Sequence, residues 1–489
     1  MHQLYPPRYG PEWGSGGVFG LYYHRGTLYY VLSMEAEAFF HYSDNEVVKY
    51  KFQLLGPGPA SGGDTYNAVD AVDNYIYFGG WVHNPAVYKA RSSGGIEIDF
   101  RNKYSHVHAY DIDNRSVKLL WKDSINHERE WVGEVSQVIY DPVNDRLLLA
   151  RADGHVNLGI YELSRDGAVF KQLSSMPGLK GSLFLDYACF DIQLDWRQGI
   201  SGIQCLDLSS GKWFNYVVES WEKISVDGYG VSSMTSGYST SAFAKYYHFF
   251  RGGVIVGNPV EPWIDEPRFV RLFDYGLSPY APSRSNALPI GGGILAVFNS
   301  YTHGSLHSGG FGGEGFTHSN TVVGPTVLVY ITPPQARILM ALGARVTSIA
   351  KKGSEILLGY STAPNLGSAD ATLIDIGYRG IMGISESSLL SQHSPPLIFR
   401  INGAEIGDKC FGGIPLLGYS EPRLLVKATK SNKLEVNVYD IGTPPMKLEE
   451  LSYDIAVGRS EVDLSGIKHI ASFRLEKPDY ASTIYIELT

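Results

Sequence analysis

A chain of 489 residues, 44% hydrophobic and only 19% charged, can bury a sizeable core, and its 55 glycines and 33 tyrosines suit short strands and tight turns better than long helices. The formal net charge of −9, with no run of Lys or Arg, argues against a polyanion-binding groove and against a nucleic-acid partner. The three cysteines, Cys189, Cys205 and Cys410, allow at most one disulfide and form no CxxC metal motif.

The opening residues, MHQLYPPRYGPEWGSGG, have neither a basic region nor an apolar one, and no uncharged apolar run reaches about 18 residues. The expectation is a cytoplasmic protein with no membrane partner. The first strand-like unit is GGVFGLYYHRGTLYYVLSMEAEAFF with VVKYKF, and the second runs through YNAVDAVDNYIYFGGW and SHVHAYDIDNRSVKLLW. The clearest unit is the third, EVSQVIYDPVNDRLLLARADGHVNLGIYELSRDGAVFKQLS: four short strands separated by turns rich in Asp, Asn, Pro and Gly. FDIQLDW with GIQCLDLSSGKWFNYVV, GGVIVGNPV with FVRLFDYG, GGGILAVFNSYTH with TVLVYITPPQARILMALG, VTSIAKKGSEILLGYST with ATLIDIG, and PRLLVKATKSN with KLEVNVYDIGTPPMKLEEL repeat the same grammar.

Aligned on their third strands, from Tyr50 and Tyr110 to Ile374 and Tyr439, the units recur every 44 to 67 residues. This period predicts an all-β fold, a single β-propeller of seven or eight four-stranded blades over 1–489. The blades are expected at 18–55, 66–123, 132–175, 182–219, 240–280, 288–340, 345–386 and 411–455, with the N-terminal segment and 459–489 closing the ring or adding strands. Tandem sandwiches or several small barrels would give similar strand spacing. ARILMALGARV fits a helix or a fourth strand. Gly310, Gly312 and Gly315 spell GxGxxG but open no βαβ unit, so they read as loop.

In a meander the loops after second strands share one end of the sheet with the links between units. That end collects Glu35 and Glu37, Trp81 and His83, Arg151, Asp153 and His155, Asn258, Glu261 and Trp263, and Tyr301, His303 and His307. The link NHEREWVGE adds His127, Glu128, Glu130, Trp131 and Glu134. The opposite turns, such as HRG, VDN and KKG, are bland. A face with convergent polar and aromatic groups is the natural candidate site.

Each group also has a structural reading: histidines as hydrogen-bond partners, Arg151 and Asp153 as a local ion pair, tryptophans as packing. As a site, Glu35, Glu37, Arg151 and Asp153 would be catalytic. The carboxylates would supply an acid and base pair for glycoside chemistry, with Trp81, Trp131, Trp263 and Tyr301 stacking the ligand. Alternatively His83, His155 and His303 would hold a divalent metal such as Zn, Mn or Ca.

PRYGPEWGSGGVFGL, MEAEAFF, FGGWVHNP and WVGEVSQVIYDPVNDRLLLARADGHVNLGIYEL resemble an archaeal family defined only as a domain of unknown function, found mainly in hyperthermophilic Crenarchaeota. The resemblance implies source rather than activity, because the family has no assigned functional residues to carry over. The low charged fraction departs from the ion-pair enrichment usual in hyperthermophiles. Two functions stay open: a carbohydrate- or small-molecule-directed lyase or hydrolase, or a non-catalytic platform for a protein or glycan partner. The sequence leaves the oligomeric state open.

Overall fold

The computed structural model describes all residues except 1, 5–16, 34, 64–65, 86–87, 93–94, 99, 129, 132, 153–155, 195–197, 277–279, 281, 283, 301–323 and 362–378. The chain is all-β with a propeller-type arrangement of antiparallel sheets. Among the described residues seven meander sheets follow one another at 18–50, 61–123, 134–174, 181–217, 236–272, 288–342 and 345–385. Within each, most strands adjacent in sequence pair in space, and a short turn joins the first long strand to the second. Arg25 and Gly26, both at positive φ (48° and 82°), make the two-residue hairpin turn between Val18–His24 and Thr27–Leu32.

Two sheets carry additions. In the second, Ser61–Gly63 and Val69–Val72 both pair with Tyr75–His83, and a hairpin of Tyr88–Ser92 and Gly95–Ile98 lies between its second and third strands. The seventh takes its fourth strand from the other end of the chain: His2–Leu4 pairs antiparallel with Arg379–Ser385. The first sheet also packs on the seventh. Val18 N donates to Thr347 Oγ1 at 3.1 Å, Thr347 Oγ1 donates to Val18 O at 2.7 Å, and Leu21 N donates to Ser348 Oγ at 2.9 Å.

The cores lie between successive sheets, so the two faces of one strand serve two neighbours. In Arg146–Ala152, Leu147 and Leu149 join Tyr77 and Val107 of the second sheet, whereas Leu148 and Ala150 join Ala188, Phe190 and Leu206 of the fourth. Between the first and second sheets, His106 and His108 are fully buried beside Tyr50 and Phe52. His108 Nδ1 lies 3.1 Å from His106 Nδ1 and His108 Nε2 lies 2.8 Å from Tyr50 Oη. Cys189 and Cys205 form a buried cross-strand disulfide in the fourth sheet.

One pair of alternatives is settled and two expectations need correction. ARILMALGARV is not helical: Gln335–Leu342 is the fourth strand of the sixth sheet. In the fifth sheet Lys245–Phe250 is the second strand and Gly252–Gly257 the third, one strand later than the motif GGVIVG suggests. The turn between them is Arg251–Gly252, with Phe250 paired to Gly253 and Gly252 at positive φ (105°); RGG reads as a turn, but the first strand before it, Ser236–Ala242, does not read as a strand.

The second correction concerns the C-terminal region, where 411–455 is not a further meander and 459–489 does not close one. Leu397–Asn402, Thr483–Leu488, Arg423–Ala428 and Gly458–Asp463 form one sheet, in that order. Phe411–Pro415, Ile470–Leu475, Asn432–Tyr439 and Lys447–Ile455 form another. This strand order is that of an eight-stranded jelly roll. Most successive strands switch sheets, but each alone has the same length and alternation as a meander strand, so the two are alike in sequence.

The jelly roll joins the fifth and sixth sheets through one continuous core. Asp274 N donates to Gly412 O at 2.8 Å and Gly412 N returns the bond at 2.6 Å. A Cβ on Gly413 would lie 2.3 Å from Arg271 O, so only glycine allows this approach. Beneath it, the buried Arg271 guanidinium donates to Asp227 Oδ2 at 2.7 Å, to Asp274, and to Gly230 O at 2.6 Å. Asp227 also accepts from Ser472 Oγ of the jelly roll at 2.9 Å, and Tyr439 Oη donates to Arg271 O at 2.9 Å. Among the described residues no helix is long and apolar enough to cross a membrane.

Candidate functional site

The ends of the second strands and the links before the first strands lie at one end of the meander sheets. Of the residues expected there, Arg151 is turned away from the inner strands. It sits on the face of its strand shared with Leu147 and Leu149, toward the second sheet. There it donates to Asp123 Oδ2 at 2.7 Å and its guanidinium lies 4.5 Å from the Trp121 ring and 5.1 Å from the Tyr161 ring. Arg151 is still paired with Gly159 of the third strand, so its side chain follows the strand's alternation toward the neighbouring sheet.

Among the described residues Glu35 and Glu37 meet different cations. Ala36 between them has positive φ (51°), which breaks the extended alternation that would put both carboxylates on one side. Glu35 is buried against Arg379 of the seventh sheet (Nη1–Oε2 2.6 Å), and Glu37 lies 3.6 Å from Lys51 of its own sheet. Trp81 and Trp131 are brought together, with Lys103 Nζ 4.6 Å from each ring, and buried His83 meets Trp81 edge-on. This is a packed aromatic clamp around a cation.

Trp263 is 75% exposed. It follows the third strand of its sheet, as do Asn258 and Glu261, so all three belong to the opposite end. Asp153, His155, Tyr301 and His303, with His307 and the glycines of the GxGxxG stretch, lie outside the described residues. Of the three histidines expected to hold a metal, only His83 is therefore placed. Among the described residues no group of three His, Cys, Asp or Glu side chains could hold a metal ion.

A different cluster occupies the inner part of this end. Tyr66 and Asn67 lie in the link before the first long strand of the second sheet, Leu179 and Lys180 before that of the fourth, and Arg284 and Ser285 before that of the sixth. Tyr66 packs with Leu179 and with Ala152 from the third sheet. Its backbone oxygen accepts from Lys180 Nζ at 2.5 Å, its hydroxyl accepts from Arg284 Nη2 at 2.8 Å, and the Arg284 guanidinium lies 4.2 Å from its ring. Lys180 Nζ also reaches Ser136 O at 3.0 Å. Asn67 ties the surroundings together: its Oδ1 accepts from Gly20 N at 2.6 Å, and its Nδ2 donates to Ser285 O and Thr347 O, both at 3.1 Å.

Behind Lys180 is a fully buried polar group. Asp191 Oδ1 accepts from Leu179 N at 2.7 Å and Lys180 N at 2.9 Å. Burial nonetheless pushes the carboxyl up to about 6. His248 Nε2 lies 2.9 Å from Ser236 Oγ and 4.0 Å from Asp191 Oδ2, and its Nδ1 lies 3.2 Å from Tyr246 Oη. Burial, with the Lys180 charge, pushes the imidazole down to about 3, so it is neutral at physiological pH. The cluster thus offers two cations on one tyrosine, Arg284 at its phenol and Lys180 at its carbonyl oxygen, and, one layer deeper, a carboxyl group able to exchange a proton near neutrality.

None of Tyr66, Asn67, Lys180, Asp191, Arg284 or His248 stands out in the sequence, where attention falls on loops after second strands. The available signal was the links: each of these cations comes directly before or close to a first strand, the position that a radial arrangement brings inward.

Among curated proteins no sequence matches this chain. Similar solved structures include virginiamycin B lyase from Staphylococcus aureus, 9% identical over 70% of this chain and 91% of that one, with a TM-score of 0.40. Another is an exo-β-1,3-galactanase from Phanerochaete chrysosporium, 8% identical over 86% of this chain and 95% of that one, at 0.29. A luciferin-regenerating enzyme is 12% identical over 66% of this chain and 95% of that one, at 0.36. A family model matches residues 28–369, which takes in most of the meander sheets and stops short of the jelly roll. The chain belongs to the family described as uncharacterized protein conserved in archaea, DUF2139.

Proposed function

We propose that the seven meander sheets are the blades of a closed seven-bladed propeller, and that the protein binds a small anionic molecule at the inner end of the links, where Tyr66, Lys180 and Arg284 meet. Two contacts support the ring: His2–Leu4 completes the seventh sheet, and the first and seventh inner strands exchange hydrogen bonds through Thr347. The observation that carries the binding site is the placing of two buried cations from different links on one tyrosine. The Lys180 and Arg284 side chains set up a local positive field at the inner end of the links, which favours an anion there. A carboxylate-bearing sugar or small acid fits this chemistry. In a lyase or hydrolase, Asp191 would be the proton-exchanging group, acting from behind Lys180.

The test is thermal unfolding of the whole chain against galacturonate, citrate and phosphate. A bound anion raises the midpoint with its concentration, and Arg284→Met and Lys180→Met lose the rise while keeping their unliganded fold. Equal shifts in the variants would refute the site. Metal analysis of the same preparation bears on the His83, His155 and His303 reading: a stoichiometric metal lost in His83→Ala would favour it. The non-catalytic platform has one observation in its favour, the adjacent Trp263 and Ile264, 75% and 70% exposed at the opposite end of the blades.

A further inference from the structure

The outward face of the first jelly-roll sheet has an uneven distribution of charge. Its register places outward side chains in three rows across the four strands: Asn402, Thr483, Lys427 and Arg459; then Arg400, Tyr485, Leu425 and Glu461; then Ile398, Glu487, Arg423 and Asp463. Arg423 Nε donates to Glu487 at 2.7 Å and its Nη1 to Glu461 of the second row at 3.2 Å, so this arginine is neutralised within the face and Asp463 leaves the third row negative.

The cations of the first row, and Arg400 of the second, are not neutralised. Arg400, Lys427 and Arg459 are exposed and make no ion pair or hydrogen bond among the described residues. Lys427 and Arg459 stand directly opposite each other, an arrangement that costs stability in a free sheet. Between them and Arg400 lies Tyr485, half-buried, beside a cavity of about 390 Å³ lined by Leu425, Lys427, Arg459, Tyr485 and Glu487. Leu425, an outward leucine of the cavity lining, is only 8% exposed.

We propose that this face binds an acidic oligosaccharide. The Tyr485 ring gives one sugar face a stacking surface, Thr483 and Asn402 meet hydroxyls, and the three cations take the carboxylates or sulfates of successive sugars. The net charge of −9 masks this local excess of cations, and it disfavours the denser charge of a nucleic acid over most of the surface. The site is separate from the one proposed at Tyr66 and stands or falls independently of it.

The experiment is native gel electrophoresis of the full chain in gels containing polygalacturonate, dextran sulfate or neutral dextran, with oligothymidine as competitor. The expected result is retardation by polygalacturonate and none by neutral dextran. Affinity falls roughly tenfold or more in Lys427→Ala/Arg459→Ala and in Tyr485→Ala, and is unchanged in Lys447→Ala on the other sheet. Thermal midpoints matching wild type confirm that the variants fold. Three results overturn the proposal: no retardation by polygalacturonate, retardation by dextran sulfate that Tyr485→Ala leaves unchanged with none by polygalacturonate, or displacement of the glycan by equimolar oligothymidine.

Discussion

Replacing His106 with Phe should flatten the acid side of the stability curve. His106 and His108 are buried between the first two sheets, and their bonding is consistent when His106 Nδ1–H donates to His108 Nδ1 and His108 Nε2–H donates to Tyr50 Oη. His106 Nε2 is then a bare nitrogen with no partner among the described residues, and protonating it would bury a charge without an acceptor. Burial accordingly pushes His106 from 6.5 down to about 3.

The unfolded chain takes up this proton near 6.5 and the native protein does not until about 3, so the stabilisation is complete above 6.5 and is lost as pH falls. Between 6.5 and about pH 5 the loss from His106 is about 2 kcal/mol, at ~1.4 kcal/mol per pH unit. His108 and His248 act in the same direction. Asp191, raised to about 6, acts in the opposite one, since its native carboxyl binds a proton before the unfolded one does. The informative quantity is therefore the difference between wild type and His106→Phe. Urea titrations across this range should give the variant a slope with pH smaller by ~1.4 kcal/mol per unit. Identical slopes would show that His106 is charged or solvated in the native protein, and the reasoning would fail.

Arg271→Met should cost about 3–5 kcal/mol, because it leaves Asp227 and Asp274 as buried carboxylates without their cation. Besides a lower thermal midpoint, it should open the jelly-roll junction to proteolysis within residues 391–396; unchanged digestion would argue against the coupling. Arg151→Leu should be mild, about 1 kcal/mol, since a leucine keeps much of the contact with Trp121 and Tyr161 and the partly exposed Asp123 can hydrate. A drop above about 3 kcal/mol in chemical denaturation would mean the guanidinium has a larger role. Cys189→Ser/Cys205→Ser should lower stability by about 3 kcal/mol, as expected for releasing a loop of 16-residue separation, and should abolish the effect of added reductant on the midpoint.

The strand grammar of the chain was legible where turns carry chemistry. DPVND, VDN and HRG mark hairpins because Asp, Asn and Gly meet the backbone demands of tight turns. It was misread where the first strand of the fifth sheet, Ser236–Ala242, is rich in Ser and Thr rather than apolar residues, so that GGVIVG read as a second strand and Trp263 fell at the wrong end of its sheet. It was also misread where strands such as Arg423–Ala428 and Asn432–Tyr439 look like neighbours but lie in different sheets. Alternation reports that a strand has a buried face, not which strand lies beside it.

The candidate site was harder to read for the same reason. Arg151 and Glu35 are chemically conspicuous, yet each is absorbed by a partner on the adjacent sheet. Tyr66, Lys180 and Arg284 are separated by more than a hundred residues and meet only because three links converge. No local pattern encodes that meeting.

The bonds between Val18 and Thr347 span 329 residues, and the amide of Asn67 reaches partners 218 and 280 residues downstream. During synthesis the first sheet therefore waits for nearly the whole remaining propeller region before its inner strand gains these partners. Until then Val18 and Leu21, fully packed in the finished protein, face water beside an open sheet edge. Such long-range contacts slow folding and leave the nascent chain open to association with its own copies. Refolding from denaturant should therefore be slow and its yield should fall with protein concentration, however stable the completed fold is.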